Sequence, residues 1–386
     1  MAGRRDNGAG YIYQRKDGKG WRGRLQDGRK PDGSVRYVNF SGKTEAEVKK
    51  KIQEYHKSED KDFQQKTITL GEYLTNWLHT FKRGTIKDSS YDRLENTANH
   101  QVIPSIGDIQ LQALTADDIQ KMIADLKRAG KSYSTVKKAY DCLNAALRHA
   151  TIADDIRKNP MLMVKMPEKN LFEQTEIRFF TQEECRRIVE ECGRKYTTGA
   201  PVYHYGDVFV LILNTGLRIG EAIGLLKTDW NREDNTLHVR RTIARIKERD
   251  KDGEPTGSYK RVANTTKTYS GDRIIPLNAN ATGALQRLCD QAPDSPSVVS
   301  SSVGEPASPE RVERSFYSVL KNIGLEKTGV HSLCHTFASF LFAAGTDVKT
   351  VSKILGHASI QITLNTYIHL TENTDQQAVM KLDEIY

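Results

Sequence analysis

The hydrophobic period of this chain changes twice, each time at a polar or proline-marked break, so no single repeating architecture can accommodate it. Between residues 10 and 40, Gly10–Gln14, Gly20–Gln26 and Ser34–Phe40 carry aromatic and β-branched residues. Lys16-Asp17-Gly18 and Gly28–Gly33 separate them as turn signals, which predicts a small three-stranded sheet. Thr44-Glu45-Ala46-Glu47 then opens a helix expected to end near His56, and the polar stretch 58–66 reads as a linker. From there a helical period takes over. Thr69-x-x-Glu72 has the form of a capping box, followed by Leu70, Tyr73, Leu74, Trp77, Leu78 and Phe81 along one face.

Further helices are predicted at 89–102, at 115–129 behind Thr115-x-x-Asp118, and at 134–150. Asn159-Pro160 and Met166-Pro167 mark a second linker. After Phe180 the pattern is mixed. Thr181-x-x-Glu184 caps a helix, and an apolar helix is expected from Tyr205 to Leu213. Strand-like segments fall at 236–247, 260–265 and 273–277, and helical patterns at 278–292, 307–323, 332–344, 347–355 and 374–385. The fold class expected is multidomain: a small β-sheet plus helix module, an all-α helical bundle, and a mixed, mainly-α domain with a small antiparallel sheet.

Charge narrows the class of partner. The net charge is +9, and residues 1–43 hold eleven Lys and Arg against four Asp, or 11 − 4 = +7. A basic module on a near-neutral body suits a polyanion-binding arm, and equally a solubilising tail. Arg22, Arg24 and Arg36 alternate along two of the strands and are predicted to share one face. Lys121, Lys127, Lys131, Lys137 and Lys138 are candidate phosphate contacts in the bundle, a solvated helix face being the plainer alternative for any one. No apolar stretch approaches the ~18 residues of a membrane span, and no secretory h-region follows the basic N-terminus. The five cysteines include no Cys-x-x-Cys pair, so neither a disulfide framework nor a zinc ribbon is expected, and a reducing cytoplasm is the default.

Four boxes carry the chemistry: Thr215-Gly216-Leu217-Arg218-Ile219-Gly220-Glu221, then Lys267-Thr268 ahead of Arg273-Ile274-Ile275-Pro276-Leu277, then His331-Ser332-Leu333-Cys334-His335, then Leu355-Gly356-His357 with Tyr367 ten residues on. In this order and spacing they resemble the catalytic boxes of tyrosine recombinases, and the resemblance runs over nearly the whole chain. It is nearest the integrases of Gram-positive conjugative transposons and phages. It implies residues 1–58 as an arm-type DNA-binding module, 67–160 as a core-binding domain, and 175–386 as a catalytic domain ending in an exchange helix.

By the same resemblance Tyr367 attacks a DNA phosphodiester and Arg218 grips its oxygens. Lys267 is the general acid, and His331 and His357 donate hydrogen bonds or move the tyrosine proton. Glu221 is expected to orient Arg218, and His335 to be a buried structural donor. Apolar Ala378, Val379, Leu382 and Ile385 imply a tail helix that docks on a neighbouring protomer. No cofactor is implied, because the phosphotyrosyl link conserves the bond energy. The implied partners are double-stranded DNA at core-type and arm-type sites, three further protomers in a tetramer, and a small accessory excisionase or DNA-bending protein.

Cys334 departs from the pattern, standing where the family has its second arginine. A thiol supplies neither fixed charge nor a bidentate contact, so cleavage is expected to be impaired. Two rival functions are an integrase-derived protein that binds DNA without cutting it and a type IB topoisomerase. The basic arm and bundle argue against the second. A zinc reading of His331, Cys334 and His335 lacks a fourth ligand, and Gly42-Lys43-Thr44 is no P-loop because Tyr37 occupies the first glycine position.

Overall fold

A computed structural model describes residues 11–15, 20–29, 35–64, 68–172, 178–265 and 271–367. The chain gathers into two compact units: Met1–Ile86 with Arg93–Phe172, and Lys87–Asp92 with Glu173–Tyr386.

The first unit begins with an antiparallel meander of β1 (Tyr11–Gln14), β2 (Trp21–Arg29) and β3 (Val35–Gly42), packed on α1 (Glu45–Gln64). Register pairs Tyr13 with Arg22, Arg24 with Asn39, and Leu25 with Val38. Leu25, Val48 and Ile52 are buried and form the small core. A Cβ on Gly23 would sit 2.7 Å from Val48, so only glycine lets the strand approach the helix this closely.

Two expectations change here. α1 runs on to Gln64, through most of the stretch read as a linker. Its residues are polar but include no Gly or Pro, and Glu45–Lys49 and Glu47–Lys51 pair one turn apart along it. Arg36 does not share a face with Arg22 and Arg24. It falls on the same alternation as Val38 and Phe40, exposed and opposite the register shift between Gln26 and Arg29, whereas Arg22 and Arg24 stand opposite Ser41 and Asn39 on the outer face.

The bundle comprises α2 (Leu70–Trp77), α3 (Asp88–Thr97), α4 (Ile103–Ile106), α5 (Ala116–Arg128) and α6 (Tyr133–Ile152). π turns at Leu78–Lys82 and Ala98–Val102 extend α2 and join α3 to α4. Both predicted capping boxes form. Thr69 N–H donates to Glu72 at 2.9 Å, and Thr115 N–H to Asp118 at 3.0 Å. Leu70, Leu74, Trp77, Ile119, Ile123 and Leu143 fill the core.

The second unit is built around α8 (Gly206–Thr215), a helix too apolar to have a solvent face: Val208, Phe209, Leu211 and Ile212 are all buried. α7 (Gln182–Cys192) precedes it, and α9 (Ile219–Ile223) follows after a tight reversal. β4 (Trp230–Asn231) leads to β5 (Thr236–Val239), β6 (Arg241–Arg249), β7 (Pro255–Thr265) and β8 (Arg273–Pro276). The order β4-β5-β8 makes one antiparallel sheet, while β6 and β7 form a separate hairpin. The strands expected at 260–265 and 273–277 therefore belong to different sheets. α10 (Ala279–Gln291), α11 (Pro309–Asn322), α12 (His331–Ala343), α13 (Val348–Leu355) and α14 (Ile360–Tyr367) complete the unit. Phe180, Phe209 and Phe316 meet at its centre, with the Phe209 and Phe316 rings 5.0 Å apart. All five cysteines are buried and unpaired. The helical pattern at 374–385 lies outside the described residues. No described helix is long and apolar enough to cross a membrane.

Candidate active site

Arg218 is presented by a reversal that glycine makes possible. α8 ends at Gly216, whose φ of 67° is left-handed, and a Cβ there would fall 2.5 Å from the Phe337 ring and 2.8 Å from Leu355. Two residues later Arg218 is the extended N-cap of α9. Glu221 turns back to it. Its carboxylate accepts the Arg218 backbone N–H at 3.0 Å and the Arg218 Nη1 at 2.9 Å. Buried Arg273, at the start of β8, reaches the same carboxylate with Nη2 at 2.8 Å and Nη1 at 3.3 Å. Burial by itself would raise the Glu221 carboxyl. The Arg273 and Arg218 guanidinium groups outweigh it and hold the group below the usual carboxylate range.

The third box lies on the first turns of α12. Cys334 is buried, and its thiol donates to the Gly216 carbonyl at 2.9 Å. Burial pushes that thiol up to about 12, so at neutral pH it is an uncharged S–H. His331 opens the helix and is solvent-exposed, yet the surrounding protein and then the Arg218 charge lower its pKa below the ordinary value. The His331 and His335 rings stand edge to face, 4.4 Å between centroids. Burial, followed by the electrostatic influence of His331, His357 and Arg218, takes His335 down to about 4.

His357 follows Gly356, the left-handed cap of α13. Its Nδ1 lies 2.7 Å from the buried Thr363 hydroxyl on α14. Burial, then Arg218 and Arg273, lowers His357 to about 4. All three imidazoles are therefore mainly neutral at pH 7, and the Arg218 charge acts on each of them. Beside them a cleft of about 610 Å³ opens between β8 and the end of α13, lined by Asp272, Arg273, Lys349, Lys353, His357 and Ile360.

The fold thus brings together Arg218, Glu221, His331, Cys334, His335 and His357. Lys267 lies outside the described residues, between β7 and β8. For Tyr367 the description reaches the backbone, at the last residue of α14, the helix that also carries Thr363. Arg273 and Thr363 were not singled out from sequence as site residues. Arg273 had a signal: an arginine beginning an otherwise apolar strand, Arg-Ile-Ile-Pro, at an inward position.

Elsewhere the candidate contacts are scattered. Arg22 and Arg24 are exposed on the outer sheet face, where the Arg24 guanidinium lies 3.9 Å from the Tyr37 ring centre. Lys121, Lys131 and Lys138 are exposed, Lys127 is half-buried against Phe172, and Lys137 pairs with Asp141 at 2.8 Å.

A half-buried arginine braced by a buried carboxylate, with three mainly neutral histidines supplied by α12 and the end of α13, is an arrangement suited to handling a phosphodiester, as in the tyrosine recombinase class. Residues 178–374 match the model of the phage integrase family, and residues 69–127 that of the phage integrase N-terminal SAM-like domain. The chain belongs to the phage integrase family. A XerC-like tyrosine recombinase of Caldanaerobacter subterraneus subsp. tengcongensis is 26% identical, covering 93% of this chain and 94% of that protein. The transposase of transposon Tn916 from Enterococcus faecalis is 24% identical over 72% of this chain and 69% of its own. Among solved structures, the Tn1549 transposon integrase in complex with a circular intermediate DNA aligns with a TM-score of 0.67 at 22% identity, covering 82% of this chain and 99% of that one. A lambda integrase dimer bound to a core site aligns with a TM-score of 0.58 at 16% identity, over 94% and 96%.

Proposed function

We propose that this chain is the site-specific recombinase of a mobile element, cutting and rejoining DNA through Tyr367 for integration and excision. One observation carries the reading: Arg218, fixed by Glu221, is the charge faced by His331, His335 and His357 together. A phosphodiester gains negative charge as it is attacked, so a rigid, always-protonated guanidinium stabilises the transition state more than the ground state. Tyr367 forms a 3′-phosphotyrosyl bond as the 5′ oxygen departs, and Lys267 protonates that oxygen. Neutral His357 has a ring nitrogen able to take the phenol proton. An incoming phosphate raises the proton affinity of every imidazole near it, which favours that transfer.

In this reading the three parts have separate tasks. Residues 1–58 contact arm-type sites through Arg22 and Arg24, and residues 67–160 and 175–386 close on the core site. Exposed Lys121, Lys131 and Lys138 supply phosphate contacts, so affinity falls with salt. Four protomers assemble on two DNA segments, with residues 374–385 docking on a neighbour and an accessory DNA-bending protein aiding excision. The reaction takes place in the cytoplasm of a bacterial host, on the nucleoid, and needs no cofactor. Cys334 leaves one phosphate contact unfilled, so strand cleavage is slow while DNA binding persists.

The test is a nicked suicide duplex carrying a core site recovered by selection from random-sequence DNA. Mass spectrometry should find a DNA adduct on the peptide containing Tyr367, absent in Tyr367→Phe. An adduct elsewhere, or undiminished adduct in Tyr367→Phe, would overturn the reading. The buried neutral thiol at 334 favours one alternative, a DNA-binding protein that never cuts. It predicts binding to the same duplex without adduct, even after Cys334→Arg.

A further inference from the structure

We infer that Arg273 is a positioning residue that joins the two ends of the catalytic constellation, setting Arg218 and His357 in one frame. The inference rests on the recombinase reading for its functional meaning. Its geometry is independent of that reading. The Arg273 side chain is 4% exposed and faces the 6% exposed Glu221. Two of its nitrogens hold the Glu221 carboxylate, at 2.8 and 3.3 Å. That carboxylate in turn holds Arg218 by backbone and side chain. The third nitrogen, Nε, donates to the Ile354 carbonyl at 2.6 Å. Ile354 lies in the last turn of α13, three residues before His357, and β8 packs against that helix.

One planar fork therefore grips two segments more than 130 residues apart in sequence, 221 and 354. A lysine cannot do the same. Its donors all sit on one nitrogen, so it has no fixed, spread fork to hold the carboxylate and the carbonyl in this geometry. Glu221 faces two guanidinium groups, so its charge is only partly spent on Arg273, and Arg218 keeps excess positive charge for a ligand. The Arg273 charge also helps hold His357 neutral, after burial and Arg218.

The experiment uses the full chain carrying Cys334→Arg, so that cleavage can be read, with Arg273→Lys and Arg273→Met added singly. His357 is followed by its ring proton resonance in a pH titration. Adduct formation and equilibrium binding are measured on the selected nicked duplex, and thermal unfolding is recorded. In both variants the His357 midpoint should rise from about 4 toward 6.5, by roughly one unit or more. Adduct formation should fall roughly tenfold or more, with binding changed by less than about twofold. The lysine result is diagnostic, since a purely electrostatic role would leave its titration at the parental value. A parental His357 midpoint and cleavage rate in Arg273→Lys overturn the inference. So does a loss of cleavage that only tracks loss of DNA binding and fold. If Arg273→Met does not fold, the lysine variant decides. If the Cys334→Arg parent forms no adduct at all, the recombinase reading falls, and the His357 titration still decides the part played by Arg273.

Discussion

Two regions of one site are built on opposite principles. At the start of α9 the chain spends a buried carboxylate and a second, buried arginine to hold Arg218 in place. At the start of α12 it places a thiol, a half-open imidazole and a half-buried one, none of them charged at neutral pH. The first region is braced by ions and the second by packing. Only the first can oppose charge that develops on a phosphate. In the recombinase reading the grip is therefore one-sided among the described residues, and the side that lacks a cation is the one where Cys334 is already satisfied by the Gly216 carbonyl.

The contrast breaks most visibly at its brace. Glu221→Ala should leave the buried Arg273 charge without its partner, at a cost of about 3–5 kcal/mol in unfolding free energy. Denaturant unfolding measures this, and a loss under about 1 kcal/mol would mean that the brace is ornamental. Restoring a cation to the uncharged side comes next. Cys334→Arg should accelerate adduct formation about 10²–10³-fold, equivalent to about 3–4 kcal/mol. Equal rates in both forms would show that the second region never needed charge.

Acid sharpens the comparison from the other direction. His335 and His357 have folded pKa values of about 4, against 6.5 for an unperturbed histidine. Between those values the unfolded chain binds more protons than the folded one, so stability is intact above pH 6.5 and declines as pH falls toward 4. Thermal unfolding from pH 7 to 4.5 should show the decline, and His335→Asn with His357→Asn should flatten it. The smallest effect is expected from Thr363→Val, which removes the hydroxyl beside His357 Nδ1. About 1 kcal/mol of stability should go with it, read by the same denaturant method. A neutral result would mean that packing alone orients that ring.

What could be read from sequence follows the range of the interaction. The boxes Thr69-Glu72, Thr115-Asp118 and Thr181-Glu184 were legible because their chemistry closes within four residues, and all three form. The long helices were legible through their apolar stripes. α9 and α14 were not, since five or eight residues hold too few turns to show a period. Polarity misled at 58–64, where charged residues continue a helix rather than end it. Strand parity misled at Arg36, because alternation fixes a face only once register is known. In the site, Arg218 and the histidines were recognisable through the resemblance of their boxes to a known family. Arg273 was quoted within a motif but its use was not, since its partners lie 52 and 81 residues away.

The burial of every cysteine gives the molecule a built-in clock. Cys142 and Cys334 have thiols held near 12, and Cys185 near 11, chiefly by burial, so the native state offers almost no thiolate to an alkylating reagent. Labelling at Cys142 would then time the opening of the bundle, and labelling at Cys334 the opening of the catalytic unit. Which fluctuates faster could be read peptide by peptide, without adding a probe to the chain.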